Sequence, residues 1–403
     1  MIATGAWREL TLGDLEAESA GVIQTGPFGS QLHASDYSNV GAPVVMPTNI
    51  RDLRISTDGI ARVSGEHVNR LARHRLRAGD IVYSRRGDVE KCALVRSDQA
   101  NWLCGTGCLL VRVQGPTVDA LCLAYLLSLP STRAWISQHA VGATMPNLNT
   151  EVLREVPILL PPIEEQRGIA ATLGALDDKI ESNRRVVDLV PRLIRAFVGQ
   201  ALDGVTLQIP AANLARFVNG GAYTKGAAGT GRMVIRIAEL NSGAGGSTVY
   251  SEIDVPEEKT ARPGDLLMSW SGSLGVYRWV LDEAIINQHI FKVIPSDGYP
   301  TWLVFDQLDQ VMSVFQGIAK DKATTMGHIQ RGHLESTTVS VPSQPTVAAL
   351  DDQLAPLWDR LLLAERENVI LAALRDTLLP ELLSGRIRVP EAHETVADTA
   401  ASV

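Results

Sequence analysis

The chain contains the same pattern twice, and this constrains its fold more than any other feature. Gly79-Asp80, Ser84 and Gly87 recur as Gly264-Asp265, Ser269 and Gly272, each 185 positions later. Further on, Thr144-Met145, Leu153 and Pro161 recur as Thr325-Met326, Leu334 and Pro342, each 181 positions later. Upstream, Val44-Val45 before Asn49-Ile50 aligns loosely with Val234-Ile235 before Glu239-Leu240. A collinear duplication predicts two copies of one fold, and a pseudo-twofold molecule is suited to gripping something long or itself twofold.

Each copy closes with a long helix. Pro161-Pro162 presets the first, and Glu164, Glu165 and Gln166 place negative or accepting groups where the helix dipole favours them. Ile169, Leu173, Leu176, Ile180, Asn183 and Val187 then follow at spacings of four and three, and Val190, Ile194 and Phe197 continue the run. The second copy gives Leu350, Leu354, Leu357, Leu361, Ala364 and Asn368, continued by Leu371, Arg375, Leu378 and Leu382. Both are a/d seams of a coiled coil in matching register, with Asn183 and Asn368 as polar positions able to pin that register. Pro191 predicts a kink or an early end to the first helix. Gly385 is a candidate C-terminal cap. Apolar Leu189, Leu193, Leu362, Leu363, Leu374 and Leu379, together with Leu383, lie off the seam and call for a further helix-bearing partner to cover them.

Ahead of each helix the pattern is mixed. β-rich runs at 44–46, 80–84, 109–113 and 156–160 are separated by Gly, Pro and Asn turns, with one helical stretch at Leu121 to His139. The Gly79-Asp80 and Gly264-Asp265 segments read as turns launching a central strand, where Gly permits positive φ and Asp bonds the following backbone. The fold class expected is therefore α+β: two pseudo-symmetric domains separated by two long helices that form an antiparallel coiled coil. Residues 1–160 form the first domain, 161–200 the central helix, 201–341 the second domain, 342–389 the distal helix and 390–403 a disordered acidic tail. At 403 residues there is room for a core in each half.

Several function classes are excluded by what is missing. No apolar run reaches membrane-spanning length and no export signal opens the chain, which predicts a cytoplasmic protein. Cys92, Cys104, Cys108 and Cys122 lack paired metal-ligand spacing and read as buried thiols, so no metal site is expected. There is no phosphate-loop, zinc-protease or nucleophile-elbow motif. Glu257 and Lys259, with Asp254 close upstream, have no counterpart in the first copy and make a poor nuclease centre. The net charge is −8. Charge acts locally, however, and residues 51–96 carry eleven Lys or Arg against six Asp or Glu, whereas residues 200–341 carry eleven against fourteen.

These motifs together carry a resemblance. Thr25-Gly26-Pro27-Phe28-Gly29-Ser30, the Gly79–Gly87 strand and Pro161-Pro162-Ile163-Glu164-Glu165-Gln166 are similar to the specificity subunit of type I restriction-modification systems, over Trp7 to about Val389. The second copy departs by reading Pro342-Ser343-Gln344-Pro345 at its junction. The resemblance implies a non-catalytic reader of a bipartite DNA target, with each domain a target recognition domain and the helices a spacer. It also implies double-stranded DNA, two methyltransferase subunits and, through them, restriction subunits as partners. Cofactors of such a complex would bind those partners and none this chain. A stand-alone coiled-coil DNA-binding regulator is the alternative.

For DNA contacts the residue types point to Gln31, Arg51, Arg54, Arg85, Arg86 and Lys91 in the first domain. In the second they point to Lys225, Arg232, Ser271, Ser273, Lys320 and Lys322. Arg and Gln can bond guanine and adenine edges bidentately, and Lys neutralises phosphate. The glycine-containing stretches from Thr25 and from Gly220 would offer backbone N–H groups to phosphates.

Overall fold

The computed structural model describes residues 6–142, 146–202, 206–225, 227–321 and 327–400. The Thr144-Met145 and Thr325-Met326 landmarks and Lys322 lie outside the described residues. The chain divides into unit 1, Met1–Asp178 with Ala372–Val403, and unit 2, Lys179–Leu371. The boundaries cut both long helices, so each unit is a globular head plus one segment of each helix. The longer helices are α1 (Ala120–Ser128), α2 (Pro130–His139), α3 (Ile163–Leu202), α4 (Thr301–Asp321), α5 (Gln344–Leu383) and α6 (Val389–Ala400).

Both heads are α+β and share the strand order of their main sheet. In unit 1, β1 (Val22–Thr25), β2 (Ile81–Ser84), β3 (Cys92–Leu94) and β4 (Cys108–Arg112) form an antiparallel sheet in the order β1-β4-β2-β3. Unit 2 repeats this with β5 (Ala215–Asn219), β6 (Leu266–Ser269), β7 (Gly275–Arg278) and β8 (Ile290–Pro295), ordered β5-β8-β6-β7. Each head adds one parallel strand pair, Val44-Val45 with Leu103-Cys104 and Val234-Ile235 with Ile285-Ile286. A terminal antiparallel ribbon closes each head before its long helix: Arg8–Thr11 with Pro157–Leu160, and Thr206–Pro210 with Thr338–Pro342.

The duplicated Gly-Asp turn explains why β2 and β6 start where they do. Gly79 and Gly264 adopt φ of +86° and +96°, which a side chain would resist. Asp80 and Asp265 do not bond the following backbone as expected. Their carboxylates instead accept the N–H of Arg77 and Arg262, three residues earlier, at 2.7 Å in both copies. Each carboxylate is also paired with a cation on the neighbouring strand, Asp80 with Arg112 and Asp265 with Lys292.

The stretch expected as one helix at Leu121 to His139 is two. Pro130 disfavours helical geometry in the residue before it, and Leu129 turns to φ −54°, ψ 139°. Thr132 then bonds the Leu126 carbonyl at 2.9 Å across the break. All four cysteines are buried and free, and burial raises the thiols of Cys92 and Cys104 to about 12.

The α3 seam residues Leu173 and Leu176 in unit 1, and Ile180 and Asn183 in unit 2, are buried. On α5, Leu354 and Leu361 are buried while Leu357 and Asn368 are half-buried. In unit 2, Lys179 and Asn183 reach Glu367, and Asn183 also takes Arg360, farther back along α5. The two helices therefore run antiparallel there. In unit 1, Asp177 of α3 pairs with Arg375 of α5 at 2.9 Å and accepts the Tyr125 hydroxyl at 2.6 Å. Asn183 does meet polar partners in the seam, but they are Arg360 and Glu367; the Asn368 amide oxygen is buried without a hydrogen bond. Burial alone would raise the Glu367 carboxyl, yet hydrogen bonds from Lys179 and Asn183 hold it below its ordinary range.

Two expectations about the helices need correction. α3 continues through Pro191 to Leu202 rather than ending there. A mid-helix proline costs about 3 kcal/mol, but Val190, Ile194 and Val198 on the same stretch are buried, at roughly 1.5–3 kcal/mol each, so packing wins. The tail expected to be disordered forms α6. Gly385, at φ +71°, caps α5 as expected, with its N–H to the Leu382 carbonyl and that of Arg386 to Glu381. α6 then starts with the Arg388 N–H on the Glu391 carboxylate. Ala392 is fully buried, His393 bonds the Thr172 hydroxyl at 2.9 Å, and Val389 sits against Gly168. The acidic composition concealed the packing of Val389 and Ala392.

Gln166, within the Glu-Glu-Gln motif, fastens α3 to the first head. It is fully buried, accepts the Asp119 N–H at 2.8 Å, and donates to the Thr117 and Pro161 carbonyls at 3.0 and 2.7 Å. Gln166→Leu strands three buried backbone groups and should cost about 1–3 kcal/mol for each that stays unsatisfied. The expected outcome is a clear fall in the thermal midpoint of unit 1. Asn183→Ala leaves Arg360 and Glu367 short of a partner and should lower stability by about 1–3 kcal/mol, read by urea denaturation; an unchanged midpoint would deny the amide a role in the seam.

Candidate nucleic-acid interface

In each head the central strand emerges at one end of the sheet into a knot of four chain segments. In unit 1, β2 runs into Arg85-Arg86-Gly87. The Arg85 N–H bonds the Gly107 carbonyl at 2.8 Å, the Arg85 carbonyl accepts from Leu148 at 2.8 Å, and Gly87 bonds Pro146 at 3.2 Å. The fourth segment joins where the Gly26 N–H meets the Cys108 carbonyl at 2.9 Å. Gly26 approaches so closely that an added Cβ would lie 2.1 Å from the Gly105 carbonyl oxygen. Gly220 does the same in unit 2, where a Cβ would lie 2.2 Å from the Asn287 carbonyl oxygen.

The electrostatics of this end differ between units. Arg85 stacks over the Phe28 ring at 5.7 Å, and Phe28 is half exposed. Arg86 is exposed, and neither arginine pairs with a carboxylate among the described residues. Two adjacent unneutralised guanidiniums beside an exposed aromatic ring form a site suited to an anion or a base edge. In unit 2 the corresponding end carries Trp270, with His289 at 5.4 Å and His328 at 6.5 Å between ring centroids.

The other residues expected at DNA fall into four groups. Gln31 and Lys91 lie in the unit 1 loops, Gln31 accepting the Phe28 N–H at 3.1 Å and Lys91 paired with Asp88 at 2.7 Å. Arg51, Lys225 and Lys320 are exposed, on a short hairpin, a turn and the end of α4 respectively. Arg54 and Arg232 are engaged in ion pairs. Arg54 joins Arg96 on Asp178 of α3, and their hydrogen bonds hold the Asp178 carboxyl below its ordinary range against the opposing effect of burial. Arg232 bonds Glu283 at 2.7 Å and the Ile253 carbonyl at 2.7 Å. Ser271 is buried against His289, and the Ser273 carbonyl accepts the Ser269 hydroxyl. The Thr25-Gly26 loop spends the N–H groups of Phe28, Gln31 and Leu32 on internal bonds.

The same loop ends also bring in Phe28, Thr106 and Asn147 in unit 1, and Trp270, Gln288, His289 and His328 in unit 2, none of which residue type had singled out. A usable signal existed: Trp270 lies 185 positions after Arg85 and His328 lies 181 after Asn147, the two offsets of the repeat itself.

Comparison with known proteins gives the same picture. A type I restriction modification DNA specificity domain matches residues 33–190. The specificity subunit of the MjaIX type I restriction enzyme from Methanocaldococcus jannaschii is 22% identical over 67% of this chain and 69% of its own length. That of the EcoBI enzyme from Escherichia coli is 26% identical over 45% of this chain and 39% of its own. Among solved structures, the type I restriction-modification S subunit from M. genitalium shares the fold, with a TM-score of 0.64 at 16% identity over 95% of this chain and 97% of that one. No helix among the described residues is long and apolar enough to cross a membrane. The match to the type I restriction modification DNA specificity domain thus spans the first head and the start of α3, and the second head repeats the order of the main sheet, β5-β8-β6-β7 against β1-β4-β2-β3.

Proposed function

We propose that the chain reads a split duplex target, one part at the loop end of each head, and positions two methyltransferase subunits and, through them, restriction subunits. The observation that carries this reading is the four-segment loop end, built twice on one sheet order with different side chains. The chain itself does no chemistry in this reading. It supplies register and sequence choice, which on DNA come respectively from phosphate contacts and from base-edge contacts.

The long helices supply the spacer. Each has 40 residues, about 60 Å at ~1.5 Å per residue, enough to separate two readers by a DNA turn of ~34–36 Å. Removing one heptad from both helices, ~10 Å, should shorten the unread gap by about 3 base pairs at ~3.4 Å each. The methylated motif before and after the deletion checks this. The exposed Leu189, Leu193 and Leu363 supply an apolar helix surface for the methyltransferase, whereas Leu374 and Leu383, also off the seam, are already buried. The chain expressed alone should therefore aggregate, and a co-expressed methyltransferase subunit should rescue it. A soluble chain that ignores that subunit would instead favour the stand-alone regulator.

Arg85→Ala with Arg86→Ala should weaken binding to targets containing the first half-site by roughly 10-fold or more, the charge-assisted Arg86 contact and the Arg85 guanidinium beside it being lost together. Titration against duplexes altered in one half at a time measures it. Loss independent of sequence would reduce the pair to phosphate contacts.

A further inference from the structure

The backbone joints at the loop ends allow positions to be matched between the units from geometry alone. Arg85 and Trp270 each donate to a turn carbonyl, Gly107 at 2.8 Å and His289 at 3.2 Å, and each accepts from the segment after the next, Leu148 at 2.8 Å and Ile329 at 2.9 Å. Arg86 bridges Asn147 as Ser271 bridges His328, both antiparallel. The turn closed by Cys108 on Gly105 at 3.2 Å matches the one closed by Ile290 on Asn287 at 3.1 Å. That match aligns Thr106 with Gln288 and Gly107 with His289.

At these matched positions the backbone is kept while every side chain changes. The strand residue just before them does not change, being Ser84 in one unit and Ser269 in the other, both buried. Polar atoms without partners also gather here: Arg85 Nε, Thr106 Oγ1 and Asn147 Oδ1 in unit 1, and Trp270 Nε1 in unit 2. Buried polar atoms normally find a partner, so a concentration of orphans marks a surface completed by something else. In unit 2 the support for one exposed group is visible. Ser271 Oγ lies 3.0 Å from His289 Nδ1, and the Gln288 amide nitrogen donates to His289 Nε2 at 3.3 Å. This leaves Gln288 a second N–H and its carbonyl oxygen, the pair that an adenine edge takes in the major groove.

We propose that five of the matched pairs, Arg85/Trp270, Arg86/Ser271, Thr106/Gln288, Gly107/His289 and Asn147/His328, set the specificity of the two units, by direct contact or by positioning. Arg86 contacts a guanine in the first half-site and Gln288 an adenine in the second. Arg85, stacked on Phe28, and His289, held by Ser271, are positioning residues. The assignment rests on the DNA-reading function proposed above and adds which atoms read and which bases they take.

The test uses the full chain co-expressed with its methyltransferase subunits, read by mapping methylated sequences in the host genome. Gln288→Ala should make one adenine position of the second half-site degenerate, with discrimination there falling roughly 5- to 100-fold, and leave the first half-site intact. Gln288→Glu, nearly isosteric, should move the preference at that position towards cytosine, whose amino group a carboxylate accepts. Arg86→Ala should loosen one guanine position of the first half-site only. An unchanged motif in these variants, or a uniform loss of methylation at all sequences, overturns the assignment. A wild-type complex that methylates no split motif overturns the DNA-reading function itself, so the two failures are distinguishable.

Discussion

In unit 2 the head and the helices share one hydrophobic core, and the rest of the architecture depends on that. Val190, Ile194 and Val198 of α3 and Leu354, Trp358 and Leu361 of α5 belong to the same buried cluster as Trp302 and Phe315 of α4 and Met268 of the central strand. At roughly 1.5–3 kcal/mol per fully buried large apolar side chain, this cluster outweighs the ~3 kcal/mol cost of Pro191. A head stripped of its helix segments would expose that cluster. The long helices are thus part of each fold as well as links in the chain.

Polar groups inside this framework serve as fasteners. In unit 1, Asp177 and Asp178 of α3 take Tyr125, Arg375, Arg54 and Arg96, while Gln166 and Glu165 take backbone groups of the head, Trp7 and Arg388. In unit 2, Arg195 bonds Asp306 and Asp309 of α4, and Arg278 bonds Glu365 while stacking over Phe305. Burial still raises the Asp306 carboxyl above its ordinary value despite the opposing effect of Arg195. Arg85 and Arg86, at the loop end, have no carboxylate partner among the described residues.

Much of this was legible beforehand because it depends on periodicity and repetition. The duplicated Gly-Asp turns located both central strands, and the four-three spacing located both helix seams to within a few residues. What failed depended on partners distant in sequence. The last segment reads as acidic and unstructured until Gly168 and Thr172 of α3 supply the surface that Ala392 and His393 occupy. Asn183 was recognised as a register residue, but its partners Arg360 and Glu367 are not the matching asparagine.

The sequence by itself determined that there are two heads of one fold and two long helices in the same register. These follow from local rules: turn chemistry, hydrophobic period and the presence of motifs. Only the tertiary structure decided which arginines are neutralised, which glycines approach a neighbouring carbonyl, and which side chains meet at each loop end. Four segments far apart along the chain converge there, and the side chains they bring together are set by strand pairing in space, which the order of residues does not display.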